Sequence, residues 1–378
     1  MTELIKSRGV GLVGAGIIAL VAGIYISQVA YSLIKGPPGE EPYHDHAHCQ
    51  SAIAGEPVAP TGRPATLDEA VARGESDRNL LRKSANAFDQ DLNTPELLAG
   101  IMRFRKKLSK QATGHVLEVA VGTGRNLGFY DWTPLDAMSR CFDENEDGTL
   151  VLDQAKLAEY TAKAAKDKSS QQQHGILSYT GVDISEDMMA IARTRLGDAV
   201  PALANMSKKP DPEANTDGRT IANTLNGLVR LFKADATQTM PYPPEPIAPL
   251  PTDPNSSTPT GGRRYDTVIQ TFGLCSVHDP VQLLRMMAAA VRPGTGRILL
   301  LEHGLGTWDW FNTWINRSAP HHFRRFGCWW NRDIEAIVRE AAAKVPGLEV
   351  VRVKRPGWFQ FGTTLMIELR VNKDGKSE

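Results

Sequence analysis

The stretch VLEVAVGTGRN, Val116 to Asn126, carries Glu118 on a strand-like run and then turns through Gly122 and Gly124. Glycines in such a turn take backbone angles closed to other residues and let a ligand approach the main chain. The turn alone does not name its ligand. A dinucleotide fingerprint needs a third glycine where Leu127 stands, and no Gly-Lys-Ser/Thr follows to make a P-loop. Two further carboxylates narrow the choice. Asp183 in GVDIS ends the next strand-like run, where a carboxylate accepts from both ribose hydroxyls, and Asp235 in FKADAT ends a third, in reach of an adenine amino group. Such a set suits a nucleoside laid along the strand ends.

Those residues need a parallel sheet to bring them together. Strand-like runs HVLEVAV, SYTGVDI, LVRLFKAD, YDTVIQTF, GRILLLEHG, LEVVRVKR and TTLMIELRV follow helical patterns over Thr66 to Lys110. SEDMMAIARTRL and DPVQLLRMMAAAVRPG are helical between them, and such alternation predicts an α/β, doubly wound sheet of seven strands. The last two runs are joined through PGWFQFG, too short for a crossover, so they pair antiparallel. Insertions are expected at about 131–173 and 196–227, with a proline-rich loop at 241–262.

The ordered set of Glu118, two glycines, Asp183 and Asp235 resembles the class I S-adenosylmethionine-dependent methyltransferases, with Ala120 in place of the first glycine of their first motif. The resemblance runs from about Gly100 to Val371 and implies a Rossmann-like methyltransferase fold with S-adenosylmethionine as cofactor. It assigns Glu118, Gly122 and Gly124 to the methionine end and counts Ala120 and Asn126 among the cofactor-binding residues. Asp183 goes to the ribose, Met188, Asp235 and Ala236 to the adenine, and Thr271 and Phe272 to the methyl path, with Ile184 counted among the cofactor-binding residues. His278 in GLCSVHDP and His303 in LEHG, past the fourth and fifth strands, are candidate general bases for a protonated acceptor.

Beyond the fifth strand, GTWDWFNTWINRSAPHHFRRFGCWWNRD holds five of the seven tryptophans, mixed with Arg317, Arg324 and Arg325. This composition suits a membrane interface, a cover over an apolar substrate or an aromatic lid on the sheet. With TFGLCSVHDP and LLLEHG it is similar to two membrane-anchored groups, the fungal mitochondrial Oms-type methyltransferase-like proteins and the animal thiol methyltransferase-like proteins. The first implies the mitochondrial inner membrane and the second the endoplasmic reticulum. A small lipophilic methyl acceptor is the expectation; the other reading is a methyltransferase-fold assembly or RNA-maturation factor with little catalysis.

The amino-terminal sequence fits an anchor. After a tail over residues 1–8, Gly9 to Ile34 carries no Asp, Glu, Lys or Arg and exceeds the roughly 20 residues that cross a bilayer, so it reads as a transmembrane helix. Lys6 and Arg8 before it lean its amino terminus to the cytoplasmic or matrix side. Ala15, Ala19 and Gly23 at four-residue spacing offer a face for a homodimer. Residues 35–65 form a linker, in which His44, His46, His48 and Cys49 read either as metal-binding or as a solvated tether, and 66–378 the methyltransferase domain.

Charge and cysteine count exclude other classes. The 43 basic and 43 acidic side chains cancel, which argues against a nucleic-acid partner. The four cysteines are scattered without a C-x-x-C pair and read as free, mostly buried thiols. DENEDGTLVLDQ nearly matches a calcium loop, with Asp143, Asn145 and Asp147 as ligands, but Gln154 stands where a bidentate glutamate is expected.

Overall fold

The computed structural model of this 378-residue chain describes residues 85–146, 150–166, 175–203, 219–244, 263–357 and 360–373. The expected transmembrane helix, its linker with the histidines, and Asp147 lie outside the described residues. Among the described residues no helix is long and apolar enough to cross a membrane.

Two helices, α1 (Ala85–Leu98) and α2 (Ile101–Ser109), lead into β1 (Gly114–Val119). After the glycine turn come α3 (Thr133–Ser139), a hairpin of β2 (Phe142–Glu144) and β3 (Leu150–Leu152), and α4 (Gln154–Lys166). Then follow β4 (Ile176–Asp183), α5 (Glu186–Ala199), β5 (Thr220–Thr224), β6 (Val229–Lys233) and β7 (Thr267–Thr271). The chain continues through α6 (Pro280–Ala290), β8 (Arg297–His303), α7 (Asp309–Phe326), α8 (Ile334–Lys344), β9 (Leu348–Lys354) and β10 (Thr364–Val371).

The main sheet has the order β5-β6-β4-β1-β7-β8-β10-β9. Its centre is parallel, and β10 runs antiparallel to β8 and to β9, the pairing with β9 being the one the short connection requires. The seven-strand expectation is corrected to eight. The extra strand, β5, closes the second insertion and pairs antiparallel with β6, Thr224 opposite Val229. Its turn runs through Leu225, Asn226 and Gly227, all with positive φ, and Asn-Gly between strands is a strong hairpin signal.

Side chains alternate across the pleat, so β1 feeds both faces: Val116 packs with Leu108, Leu135, Met189 and Leu196, while Leu117 packs with Leu284, Met287, Ile337 and Val338. Helices thus cover both faces. Their starts are set by capping: Ser185 and Asp279 accept from the backbone of Met188 and Gln282, and Pro280 follows Asp279 at the first helical position. Helix α7 stops at Gly327, left-handed at φ 65°.

Candidate functional site

At the carboxyl end of β1 the chain turns back through Ala120, Gly122 and Gly124, with φ of 55°, 56° and 79°. All three are left-handed, where a side chain costs energy. The two glycines are needed for different reasons. A Cβ on Gly124 would stand 2.6 Å from Leu127 Cδ1 and 3.1 Å from Ala192 Cα, so this glycine lets the turn sit against α5. A Cβ on Gly122 would meet only Met188 Sδ, at 4.0 Å. Space over Gly122 is therefore free for a ligand to approach.

Asp183, at the end of β4, is tied to that turn: its Oδ2 accepts from the Gly122 N–H at 2.7 Å and its Oδ1 from the Ser185 N–H at 2.9 Å. The carboxylate still has accepting capacity for a further donor. Burial pushes its pKa up, and the backbone donors of Ser185, Gly122 and Ile184 only partly offset this. Ile184 follows, 52% exposed, and Met188 lies on the first turn of α5. Asp235 follows β6; its Oδ1 accepts from the Thr237 N–H and hydroxyl at 2.9 and 2.6 Å, its Oδ2 from Gln238 at 2.9 Å. Ala236 packs beneath it on the α6 face.

Glu118 is fully buried. Its carboxylate accepts from Asn126 Nδ2 at 2.8 Å, Tyr130 Oη at 2.7 Å and Tyr179 Oη at 2.6 Å. Burial raises its pKa against those three donors and the charge of Arg105. With its lone pairs so engaged, Glu118 shapes the turn from below.

Arg105 completes this layer from α2. Its guanidinium donates to Thr271 Oγ1 at 2.7 Å and Asn126 Oδ1 at 3.0 Å, pairs with Glu96 at 2.8 Å, and stands 5.0 Å from the centre of the Phe272 ring. Phe272 itself is left-handed, φ 56°. A second ionic layer clamps α1 over the glycine turn: Asp89 pairs with Arg125 and Arg195 and accepts from Thr123 Oγ1 at 2.6 Å, while Arg125 also reaches Glu96 at 3.0 Å. Burial raises the Asp89 pKa, but the hydrogen bonds from Arg195, Thr123 and Arg125 prevail and hold it at about 2.

The two candidate bases are placed differently. His278 sits in the β7–α6 turn, its Nδ1 buried without a hydrogen-bond partner. His303, the last residue of β8, lies 5.1 Å from the Phe272 ring, and its Nε2 faces Cys328 Sγ at 2.8 Å and Cys275 Sγ at 3.3 Å. Burial pushes the Cys275 thiol up, but Cys328 and His303 beside it bring its pKa well below the usual thiol range. The three cysteines among the described residues, Cys141, Cys275 and Cys328, are free and buried, yet two of them converge on one histidine.

A family profile described as a methyltransferase domain matches residues 91–345. The chain belongs to the methyltransferase-domain family. Methyltransferase OMS1, mitochondrial, from Saccharomyces cerevisiae is 27% identical over 312 residues, covering 82% of this chain and 50% of its own length. The chain thus spans half the length of that curated relative. Among solved structures, an O-methyltransferase family protein from Burkholderia thailandensis is similar at TM-score 0.41 and 14% identity, over 82% of this chain and 64% of that one. Magnesium protoporphyrin IX methyltransferase from Synechocystis, solved with SAH bound, is similar at TM-score 0.34 and 13% identity, over 78% and 87%. Likenesses this loose say nothing of an acceptor.

Within this methyltransferase domain the calcium reading finds no support. Asp143 is engaged by Lys156 and sits on β2, paired with Val151 of β3, while Asn145 follows in the exposed turn. The tryptophan-rich segment forms α7 and the turn after it. Trp308 and Trp310 are exposed, whereas Trp314 stacks on Phe311, Trp330 on His322 and Trp329 on Phe323. Sequence reasoning missed Asp89, Glu96, Arg105, Arg125 and Arg195 at the turn, and Cys275 and Cys328 beside His303.

Proposed function

We propose that this chain transfers a methyl group from S-adenosylmethionine to a small lipophilic acceptor, anchored by Gly9 to Ile34 in a membrane, with the mitochondrial inner membrane as the setting. The observation that carries the reading is the coupling of Asp183 to the Gly122 N–H, a carboxylate and an open glycine backbone held side by side. That pair fits a nucleoside with an amino-acid tail: Asp183 keeps accepting capacity toward a ribose hydroxyl, and Gly122 leaves room for the ligand against the main chain. Met188, Ile184, Asp235 and Ala236 would hold the adenine. Ala120 and Gly124 would fix the turn at the methionine end, on the support of Glu118 and Asn126.

Bound S-adenosylmethionine supplies a methyl group already activated by its sulfonium. What remains for the chain is to orient the acceptor and keep the site in shape. Thr271 and Phe272 would border the methyl path, with Arg105 fixing Thr271 from behind. His278, with an unpartnered buried Nδ1, is better placed than His303 to take a proton from the acceptor, because His303 already faces two sulfurs. The mitochondrial name of the yeast relative supports the setting, and the apolar amino-terminal stretch supports delivery of the acceptor from lipid.

Calorimetric titration of S-adenosylmethionine and S-adenosylhomocysteine into the detergent-solubilised full chain tests the cofactor. Micromolar binding, weakened on the order of tenfold to hundredfold by Asp183→Ala, is expected for the loss of hydrogen bonds to a charged acceptor. No binding by a folded wild-type chain would overturn the proposal.

A further inference from the structure

Cys275, His303 and Cys328 come from three separate parts of the chain: the turn after β7, the end of β8 and the residue after the Gly327 cap of α7. Their two Sγ atoms and one ring nitrogen all lie within 4.8 Å of one another, and both sulfurs are buried. It is the same nitrogen, Nε2, that faces both sulfurs, at 2.8 and 3.3 Å. A ring nitrogen has one lone pair or one proton, so it serves one sulfur at a time, and Cys275 Sγ otherwise makes only long contacts, to the Phe272 carbonyl at 3.5 Å and Ser276 Oγ at 3.6 Å. A single cation between the three atoms would satisfy all of them at once.

We propose that Cys275, His303 and Cys328 form a binding site for one zinc ion, with a fourth coordination position left to solvent or ligand. Two thiolates and an imidazole are the donor set that a borderline-soft divalent ion selects over calcium or magnesium. With Zn–S of about 2.3 Å and Zn–N of about 2.0 Å, tetrahedral geometry sets the nitrogen about 3.5 Å from each sulfur. The present separations reach that value by opening a few tenths of an ångström on one side and somewhat more on the other. Loading displaces both thiol protons to solvent, and the metal–sulfur bonds replace the sulfur–hydrogen bonds.

The surroundings suit a cation. Glu302 precedes His303; its Oε1 accepts from the N–H groups of Gly273 and Leu274, while its Oε2 is buried and meets no hydrogen-bond donor. His322 donates from Nδ1 to the Cys328 carbonyl at 2.9 Å, which fixes the backbone that carries that sulfur. Arg332, also buried, spends its donors on the carbonyls of Leu274 and Val277, holding the Cys275 turn in place. Since the three ligands sit on the sheet edge and at the end of α7, a bound ion would tie the aromatic helix to the strand ends beside Phe272.

The test uses the reduced, tag-free full chain in detergent, with His44, His46 and His48 changed to Ala and Cys49 to Ser so that the linker cannot bind the probe. Zinc is titrated against a chromophoric chelator, and cobalt(II) replaces it for spectroscopy. One equivalent of zinc, a thiolate-to-cobalt charge-transfer band and the intense visible bands of a tetrahedral ion are expected. Cys275→Ser and Cys328→Ser each weaken binding at least tenfold and diminish the charge-transfer band, while Cys141→Ser leaves both unchanged. Failure of the folded parent to take up zinc, or a cobalt spectrum without thiolate character, overturns the proposal without any variant at the site. Equal binding by the Cys275→Ser, Cys328→Ser double variant overturns it as well. Neither readout depends on S-adenosylmethionine, so the outcome is separate from that of the proposed activity.

Discussion

Arg105 Nη1 lies 2.7 Å from Thr271 Oγ1, joining a helix that precedes the sheet to the end of its central strand β7. The same guanidinium pairs with Glu96, and both side chains are buried. Arg105→Met leaves Glu96 with Arg125 as its remaining partner, at 3.0 Å, and takes a buried donor from Thr271 and Asn126, which costs roughly 1–3 kcal/mol. Arg105→Lys keeps the charge but loses the fork, and falls between the variant and wild type. Denaturant unfolding of the three proteins checks the order; equal stability of Met and wild type would remove the pair from the account.

Acid should act on the clamp between α1 and the glycine turn. Asp89 has a folded pKa of about 2, below the ordinary carboxylate value, so its contribution is present above pH ~4 and lost as pH falls toward 2. The groups that face it are Arg125, Arg195 and the Thr123 hydroxyl. In Asp89→Asn this part of the acid loss is absent and stability at neutral pH is lower by a few kcal/mol, roughly 3. Thermal unfolding followed from pH 7 to pH 2 compares the two slopes.

Tyr179→Phe removes one of three donors from the buried Glu118 and leaves the ring contacts with Tyr130 and Trp132 in place. The expected loss is roughly 1–3 kcal/mol. A larger loss would mean that Tyr179 does more than donate to Glu118.

Ala120 sits at φ 55°, where a side chain costs roughly 1–2 kcal/mol and glycine is favoured. Ala120→Gly relieves this and gives back part of it as extra freedom of the unfolded chain. A net gain of about 0.5–1 kcal/mol is expected, measured as a higher denaturant midpoint at unchanged slope.

The placement of Asp183 and Asp235 was legible because each closes a strand-like run, and that of Glu118 because it lies near the end of one; the topology of a parallel sheet gathers such positions on one edge. The reversed pairing of β9 and β10 was legible from the short link between them. The β5 hairpin carried its signal in Asn226 and Gly227, yet the polar TIANT strand gave too little apolar alternation to stand out. The clamp was not legible. Helical periodicity tells which apolar residues of α1 and α2 turn inward, but Asp89, Glu96 and Arg105 look like solvated charges until the turn they meet is folded. Cys275 and Cys328 were hidden for the same reason: their neighbourhood is made by His303, a residue distant from both in the chain.

The clamp also bears on where the catalytic unit begins. The family match starts at residue 91, whereas Asp89 lies two residues earlier and neutralises Arg125 and Arg195 against the glycine turn. A recombinant piece that starts at residue 91 would retain every strand and both glycines, yet leave Arg195 without its carboxylate and Arg125 with Glu96 alone, beside the proposed nucleoside site. Its loss of ligand affinity would then be an artefact of the cut, and a working soluble unit has to start upstream of Ala85.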